Sequence, residues 1–265
     1  MRIGIFDSGL GGLIVARAIR RAMPQYDYVY LGDTKRVPYG SRSCKTVQEF
    51  TEESVRYLCE KEKCSLIVLA CNTASSQALR KMQKIFTGQK ILGVLIPAAE
   101  EAAKFMRIGV LGTAGTVASK SFPAEIKKLN PKAKIFQNAA PMLVPLAEAW
   151  EGNNTVPFIK KYLRPFAGKK IEALVLGCTH YPIFKREIAR TLRSFSEVGK
   201  NIKIISQDEI VPEKLKNYLA RHPEIEKKLS QGATAKILVT DETETIDKLA
   251  QKWFGGVKPK LISLS

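Results

Sequence analysis

Histidine is scarce in this 265-residue sequence: only His180 and His222 occur, beside five cysteines. The cysteines are Cys44, Cys59, Cys64, Cys71 and Cys178, and no Cys-x-x-Cys pair exists among them. Cys178-x-His180 is not zinc-finger spacing either, so a zinc site is the weaker reading of these thiols. An odd cysteine count without framework spacing excludes a disulfide scaffold and points to reduced thiols in the cytoplasm. No run of about 18 apolar residues is present, which excludes a membrane-spanning helix. Met1 to Phe6 enter a strand-like pattern directly, without a signal peptide. The glycine-rich turn from Asp7 to Gly12 lacks the full dinucleotide spacing and the Lys-Ser/Thr of a P-loop. Low complexity and long linkers are absent too.

Acidic residues are few against basic ones. Lys and Arg number 43 and Asp and Glu 25, a formal net charge of +18. Such a field draws anions: small acidic metabolites, nucleic acid or anionic lipid. The basic residues are spread along the chain, with small groupings at Arg80, Lys81 and Lys84 and at Lys160, Lys161 and Arg164. No aromatic-interleaved basic strip and no DNA-binding helix pair accompanies them, so nucleic-acid binding rests on charge alone. The 45% hydrophobic content is that of a globular protein with real cores.

What is present is alternation. Apolar runs with strand character fall at Arg2–Phe6, Tyr26–Leu31, Ser65–Ala70, Ile91–Val94, Ile108–Leu111, Lys134–Gln137, Ala173–Leu176, Ile202–Ile205 and Ala235–Val239. Stretches with an apolar period near 3.6 lie between many of them, at Leu13–Arg21, Val47–Glu62, Ser75–Phe86, Ala124–Leu129, Phe158–Phe166, Ile183–Leu192, Ile210–Leu219 and Thr245–Phe254. Strands alternating with helices predict an α/β fold with parallel sheets.

Two echoes divide the chain. Ile67-Val68-Leu69-Ala70-Cys71-Asn72-Thr73 is repeated in kind by Leu174-Val175-Leu176-Gly177-Cys178-Thr179-His180, and the two cysteines are 107 positions apart. Arg2-Ile3-Gly4-Ile5-Phe6-Asp7-Ser8 is matched by Arg107-Ile108-Gly109-Val110-Leu111-Gly112-Thr113, at an offset of 105. Near-equal offsets predict two pseudosymmetric α/β lobes with a cleft between them. Residues 1–96 with 206–265 form the first lobe and carry Cys71. Residues 97–205 form the second and carry Cys178.

Ligands of parallel sheets sit beyond the carboxyl ends of strands. Asp7-Ser8, Asp33, Cys71-Asn72-Thr73, Thr113 and Cys178-Thr179-His180 all occupy such ends. A cysteine at a helix N-terminus meets N–H groups and a dipole that favour thiolate. Cys71 and Cys178 are therefore candidate acid/base groups, with His180 as a proton partner and Asp7 as a group able to tune Cys71 or receive an ammonium. Cys44, Cys59 and Cys64 read as small buried hydrophobes. His222 reads as an exposed helix end.

Several segments, in order over nearly the whole chain, resemble the glutamate racemases. They are Phe6-Asp7-Ser8-Gly9 through Gly12, Gly32-Asp33 through Pro38-Tyr39-Gly40, Ala70-Cys71-Asn72-Thr73-Ala74, Leu111-Gly112-Thr113 with Thr116-Val117, Val144-Pro145 with Glu148, and Gly177-Cys178-Thr179-His180-Tyr181-Pro182. The His after Cys-Thr favours the glutamate branch over the related aspartate racemases. The resemblance implies cofactor-free, two-base racemisation of glutamate by Cys71 and Cys178, assisted by Asp7, His180 and Glu148. It implies that Cys71 deprotonates the D form and Cys178 the L form. It implies substrate contacts from Asp7, Ser8, Tyr39, Gly40, Asn72, Thr73, Thr179 and His180, no metal, a homodimer, and supply of D-glutamate for peptidoglycan. Departures from the family pattern are Asn138-Ala139-Ala140-Pro141, where many members carry an extra cysteine, Phe122 in place of a common Tyr, and Leu95-Ile96-Pro97-Ala98-Ala99. The alternatives are a racemase of aspartate or another small acidic amino acid, and an anion- or nucleic-acid-binding protein with a racemase-like fold.

Overall fold

A computed structural model describes residues 1–149, 155–195 and 202–264. Ten strands are found among them: β1 (Arg2–Asp7), β2 (Tyr28–Gly32), β3 (Cys64–Leu69), β4 (Lys90–Gly93), β5 (Arg107–Gly112), β6 (Lys134–Ala139), β7 (Ala173–Gly177), β8 (Lys203–Ile205), β9 (Ala235–Val239) and β10 (Lys260–Leu261). They build a six-stranded sheet in the order β10-β9-β2-β1-β3-β4 and a four-stranded sheet in the order β6-β5-β7-β8. Every strand pair is parallel. The α/β class with parallel sheets is thus the observed one.

The strand order β2-β1-β3-β4 in one sheet has its counterpart β6-β5-β7-β8 in the other. β5 echoes β1 in sequence and β7 echoes β3; β1 pairs with β3 in the first sheet as β5 pairs with β7 in the second, none of them an edge strand. Strand side chains alternate between faces, and the cores follow that period. Ile3, Ile5, Leu66 and Val68 face one core and Phe6, Ile67 and Leu69 another. In the second sheet Ile108, Val110, Ala173 and Val175 face one core and Leu111, Leu174 and Leu176 the other. Sheets buried on both faces need near-continuous apolar strands, which is what these segments are.

Several elements depart from the sequence reading. The stretch Ser75–Phe86 is two helices, Asn72–Gln77 and Leu79–Ile85, parted at Ala78. Leu95–Ala102 is a helix with Pro97 inside it. Pro97 lies in its first turn, where a missing N–H costs no intrahelical bond. That helix packs Leu95, Ala98, Ala99 and Ala102 into a core of the second sheet. Ala114–Ala118 and Leu143–Ala149 are short helices without a full apolar period. β10, at two residues, is too short to show any period. Cys44 is exposed rather than a buried hydrophobe, because it is the first residue of the helix Cys44–Glu60, where its sulfur accepts from the Gln48 amide at 3.3 Å. Cys59 is half-buried, and Cys64 is buried in β3. His222 ends the helix Gln207–Arg221 and pairs with Glu224 at the surface. Among the described residues no helix is long and apolar enough to cross a membrane.

Candidate active site

The carboxyl ends of the central strands bring the polar turns together. Parallel pairing sets Asp7 beside Gly32 and Phe6 beside Leu69, so the turns after β1, β2 and β3 share one sheet edge. Gly112 is likewise paired with both Ala139 and Gly177, which places Thr113, Ala140 and Cys178 at the edge of the second sheet. A cavity of about 420 Å³ lies where the two edges meet. Ser8, Tyr39, Gly40, Asn72, Thr73, Thr179, Cys71, Cys178, His180 and Glu148 all line it. Its size suits a small-molecule site, typically about 300–1,000 Å³. Among the described residues no lysine or arginine lines it, so its charge comes from His180 and Glu148.

Cys71 caps the helix Asn72–Gln77, and its Sγ accepts from the Ala74 N–H at 3.5 Å. It also lies 3.4 Å from Ser8 Oγ. Burial pushes the thiol up to about 12, Asp7 adds to that, and the contacts to Ser8 and Ala74 act against it. Cys71 is therefore a neutral thiol near pH 7.

Cys178 sits in a different environment. The turn after it runs into a 3-10 helix, Tyr181–Phe184, instead of an α-helix. Its Sγ faces His180 Nδ1 at 3.8 Å. The other ring nitrogen, Nε2, is 2.9 Å from Glu148 Oε1. Burial pulls the His180 imidazole down, but the hydrogen bonds and charges of Cys178 and Glu148 outweigh it and hold the ring up to about 10. His180 is thus an imidazolium poised between a sulfur and a carboxylate. Tyr181 fixes this turn by donating to the carbonyls of Gly112 at 3.0 Å and Ala140 at 2.8 Å.

A raised histidine makes stability fall with pH. The folded ring stays protonated up to about 10, whereas a free histidine loses its proton near 6.5. Its contribution is complete below about pH 6.5 and is lost as pH rises toward the folded value. The stability advantage of wild type over His180→Asn therefore shrinks between about pH 6.5 and 8.5; unfolded cysteines, which titrate near 8.5, are common to both proteins and cancel in the difference. Urea midpoints of both proteins at the two pH values measure it; a difference that does not change with pH contradicts a protonated His180.

Asp7 does not line the cavity. It is 1% exposed, and its carboxylate accepts from the Gly9 N–H at 3.0 Å and the Thr179 hydroxyl at 3.5 Å. Burial raises its pKa, the His180 charge opposing. It is a carboxyl group buried behind the cavity wall, close enough that its charge would oppose a thiolate on Cys71. Asp33 is likewise spent within the protein. Its carboxylate accepts from the Arg36 guanidinium at 2.6 Å, from Thr240 Oγ1 at 2.8 Å and from the Tyr39 hydroxyl. The Tyr39 hydroxyl is thereby turned to Asp33. Thr113 caps the helix Ala114–Ala118 and meets Thr73 Oγ1 at 2.9 Å, tying the two sheet edges together.

Three residues outside the sequence-derived set shape the site. Trp253 packs edge-on against the His180 ring at 5.6 Å between centroids. Gly11 lies so close to His180 and Thr179 that a Cβ there would fall 2.5 Å from His180 Nδ1 and from Thr179 Oγ1. Gln207 donates to Asn72 Oδ1 at 2.9 Å. Only Gly11, inside the glycine-rich turn, carried a signal in the sequence.

The arrangement offers two thiols to one small ligand, a cation beside one of them, and backbone and hydroxyl donors for its anionic groups. Comparisons with known proteins give the family. The family model for Asp/Glu/hydantoin racemases matches residues 13–206. The chain is 38% identical to a glutamate racemase of Sulfurihydrogenibium sp. over 100% of this chain and 98% of that protein. It is 37% identical to one of Aquifex aeolicus, over 99% of this chain and 98% of the relative. Among solved structures, glutamate racemase of Francisella tularensis in complex with D-glutamate superposes with a TM-score of 0.90 at 28% identity, covering 99% of this chain and 97% of that one. A glutamate racemase isoform of Bacillus anthracis gives 0.89 at 32% identity, with the same coverage. The chain belongs to the Asp/Glu/hydantoin racemase family and, within it, to the glutamate racemases.

Proposed function

We propose that the protein interconverts L- and D-glutamate without a cofactor, by proton transfer between the substrate and two thiols. The observation that carries this reading is that Cys71 and Cys178 both line the one cavity of about 420 Å³. Inverting a stereocentre by proton transfer needs a base on one face of the α-carbon and an acid on the other. From L-glutamate, the Cys178 thiolate takes the α-proton and the electron pair of that C–H bond stays on the α-carbon. The Cys71 thiol then delivers its proton to the opposite face, leaving Cys71 as thiolate and Cys178 as thiol. From D-glutamate the same atoms move in reverse.

The surroundings of each sulfur support its part. The Cys71 thiol, pushed up to about 12 by burial first and by Asp7 second, holds the proton to be delivered. A negative charge on Asp7 opposes a Cys71 thiolate, so a proton on Asp7 favours it. The His180 imidazolium supplies the counter-charge for a Cys178 thiolate 3.8 Å away, and Glu148 holds the ring in place. The carbanion pushes charge onto the α-carboxylate, where preorganised N–H and O–H donors stabilise it. The net charge of +18 draws an acidic substrate toward the cleft.

On this reading the protein is a cytoplasmic homodimer that supplies D-glutamate for peptidoglycan. Its lobes are residues 1–96 with 206–265, and 97–205. The test is racemisation of each glutamate enantiomer in deuterated water, with α-proton exchange followed alongside. Glutamate turns over with deuterium incorporated, and kcat/KM for glutamate exceeds that for aspartate. A folded protein that neither inverts nor exchanges glutamate overturns the reading.

A further inference from the structure

Gln207 opens the helix Gln207–Arg221, two residues after the end of β8, where the chain leaves the second sheet. The helix it begins packs Val211, Leu215 and Leu219 into a core of the first sheet. Gln207 is fully buried, and its Nε2 donates to Asn72 Oδ1 at 2.9 Å. Asn72 follows Cys71, begins the next helix and lines the cavity. A primary amide has an acceptor oxygen and a donor nitrogen. The one bond uses the Asn72 oxygen and the Gln207 nitrogen. The other two atoms, Asn72 Nδ2 and Gln207 Oε1, are buried without a partner. Unmet buried polar atoms are costly, and where they persist in a site they point to a group that completes them.

We propose that Gln207 is the positioning residue that makes Asn72 a hydrogen-bond donor to a carboxylate of the substrate. The proposal rests on the reading of the cavity as a glutamate site. By holding Oδ1, Gln207 leaves Nδ2 as the one polar atom that Asn72 has to offer. A donor meets a carboxylate and repels an ammonium, so the polarity of this amide pair sorts the two ends of an amino acid. Nδ2 is buried at the cavity wall, and a small turn of the Asn72 amide about its bond to Gln207 would bring it to a substrate oxygen. The residue reaches the site from 135 positions away in sequence, across the junction between the two sheets.

Two substitutions of Gln207 test this. Gln207→Met keeps an unbranched side chain of similar length and removes the amide. It lowers kcat/KM for glutamate by about tenfold, as expected when a site loses an oriented hydrogen bond. Asn72→Leu lowers it too, and adding Gln207→Met to Asn72→Leu costs less than about twofold more, because the glutamine acts only through the asparagine. A purely structural role gives additive losses. The second variant is Gln207→Glu. Protonated, its carboxyl donates to Asn72 Oδ1 as the amide does; ionised, it can only accept, which reverses Asn72. The ratio of its kcat/KM to that of wild type therefore falls as pH rises from 6 to 9. Additive losses in the cycle, wild-type activity in folded Gln207→Met, or a Gln207→Glu ratio independent of pH overturns the proposal. Wild type inactive on glutamate overturns the functional reading instead.

Discussion

Serine in place of either Cys71 or Cys178 lowers kcat/KM for glutamate racemisation in both directions by on the order of 10³-fold, within the usual contribution of a positioned acid or base. The two side chains differ by one atom, so the cavity keeps its shape. A hydroxyl is a far weaker acid than a thiol, and each variant loses the proton carrier on one face. Because each face is needed once per inversion, neither thiol can replace the other. The variants should differ in exchange. Cys178→Ser retains Cys71 and exchanges the α-proton of D-glutamate with solvent faster than that of L-glutamate; Cys71→Ser shows the opposite preference. Cys44→Ser is the control, since Cys44 is exposed and outside the cavity. Chiral analysis and mass measurement of deuterium uptake give both quantities. A cavity variant with more than a tenth of wild-type kcat/KM excludes the two-thiol mechanism.

Alanine at position 11 lowers kcat/KM by about 100-fold while the protein stays folded, because a displacement of about 1 Å at a reacting group costs that much. The backbone of Gly11 has φ −57° and ψ −33°, which alanine adopts without strain. The methyl group is what does not fit: its position lies 2.5 Å from both His180 Nδ1 and Thr179 Oγ1. His180 cannot yield freely. It is held by Glu148 on one side, by Cys178 on another, and by the Trp253 ring edge. The added carbon therefore moves the imidazolium off the Cys178 sulfur. Gly88→Ala serves as the reference, since a Cβ there meets nothing within 4 Å. The expected signature is a large loss in kcat/KM with a thermal midpoint shifted by no more than a few degrees. Wild-type kcinetics in Gly11→Ala contradicts the role given to the position of His180.

The α/β class was legible because buried parallel strands must be apolar nearly throughout. Most of the strands stand out as short runs rich in Ile, Val and Leu, while the half-exposed β6 is more polar and β10, at two residues, shows no run. The pairing of Cys71 with Cys178 in one cavity was legible through the repeated strand-then-cysteine segments, since equivalent strand ends in two alike sheets carry equivalent turns. The helix Leu95–Ala102 was hidden by Pro97, whose place in the first turn suits a helix as well as a break. The exposure of Cys44 was hidden because residue type says nothing about which way a helix end faces.

The sequence by itself determined the strands, their alternation with helices, and the presence of two alike cysteine turns. These follow from local chemistry: side-chain period, apolar runs and small residues at strand ends. Only the tertiary structure decided what surrounds each sulfur. Glu148 meets His180 across 32 positions, Asp7 meets Thr179 across 172, and Gln207 meets Asn72 across 135. Burial, which pushes the Cys71 thiol up to about 12, exists only once both sheets have closed around it. Charge and hydrogen-bond partners are properties of the space around a side chain, and no local run of residues encodes that space.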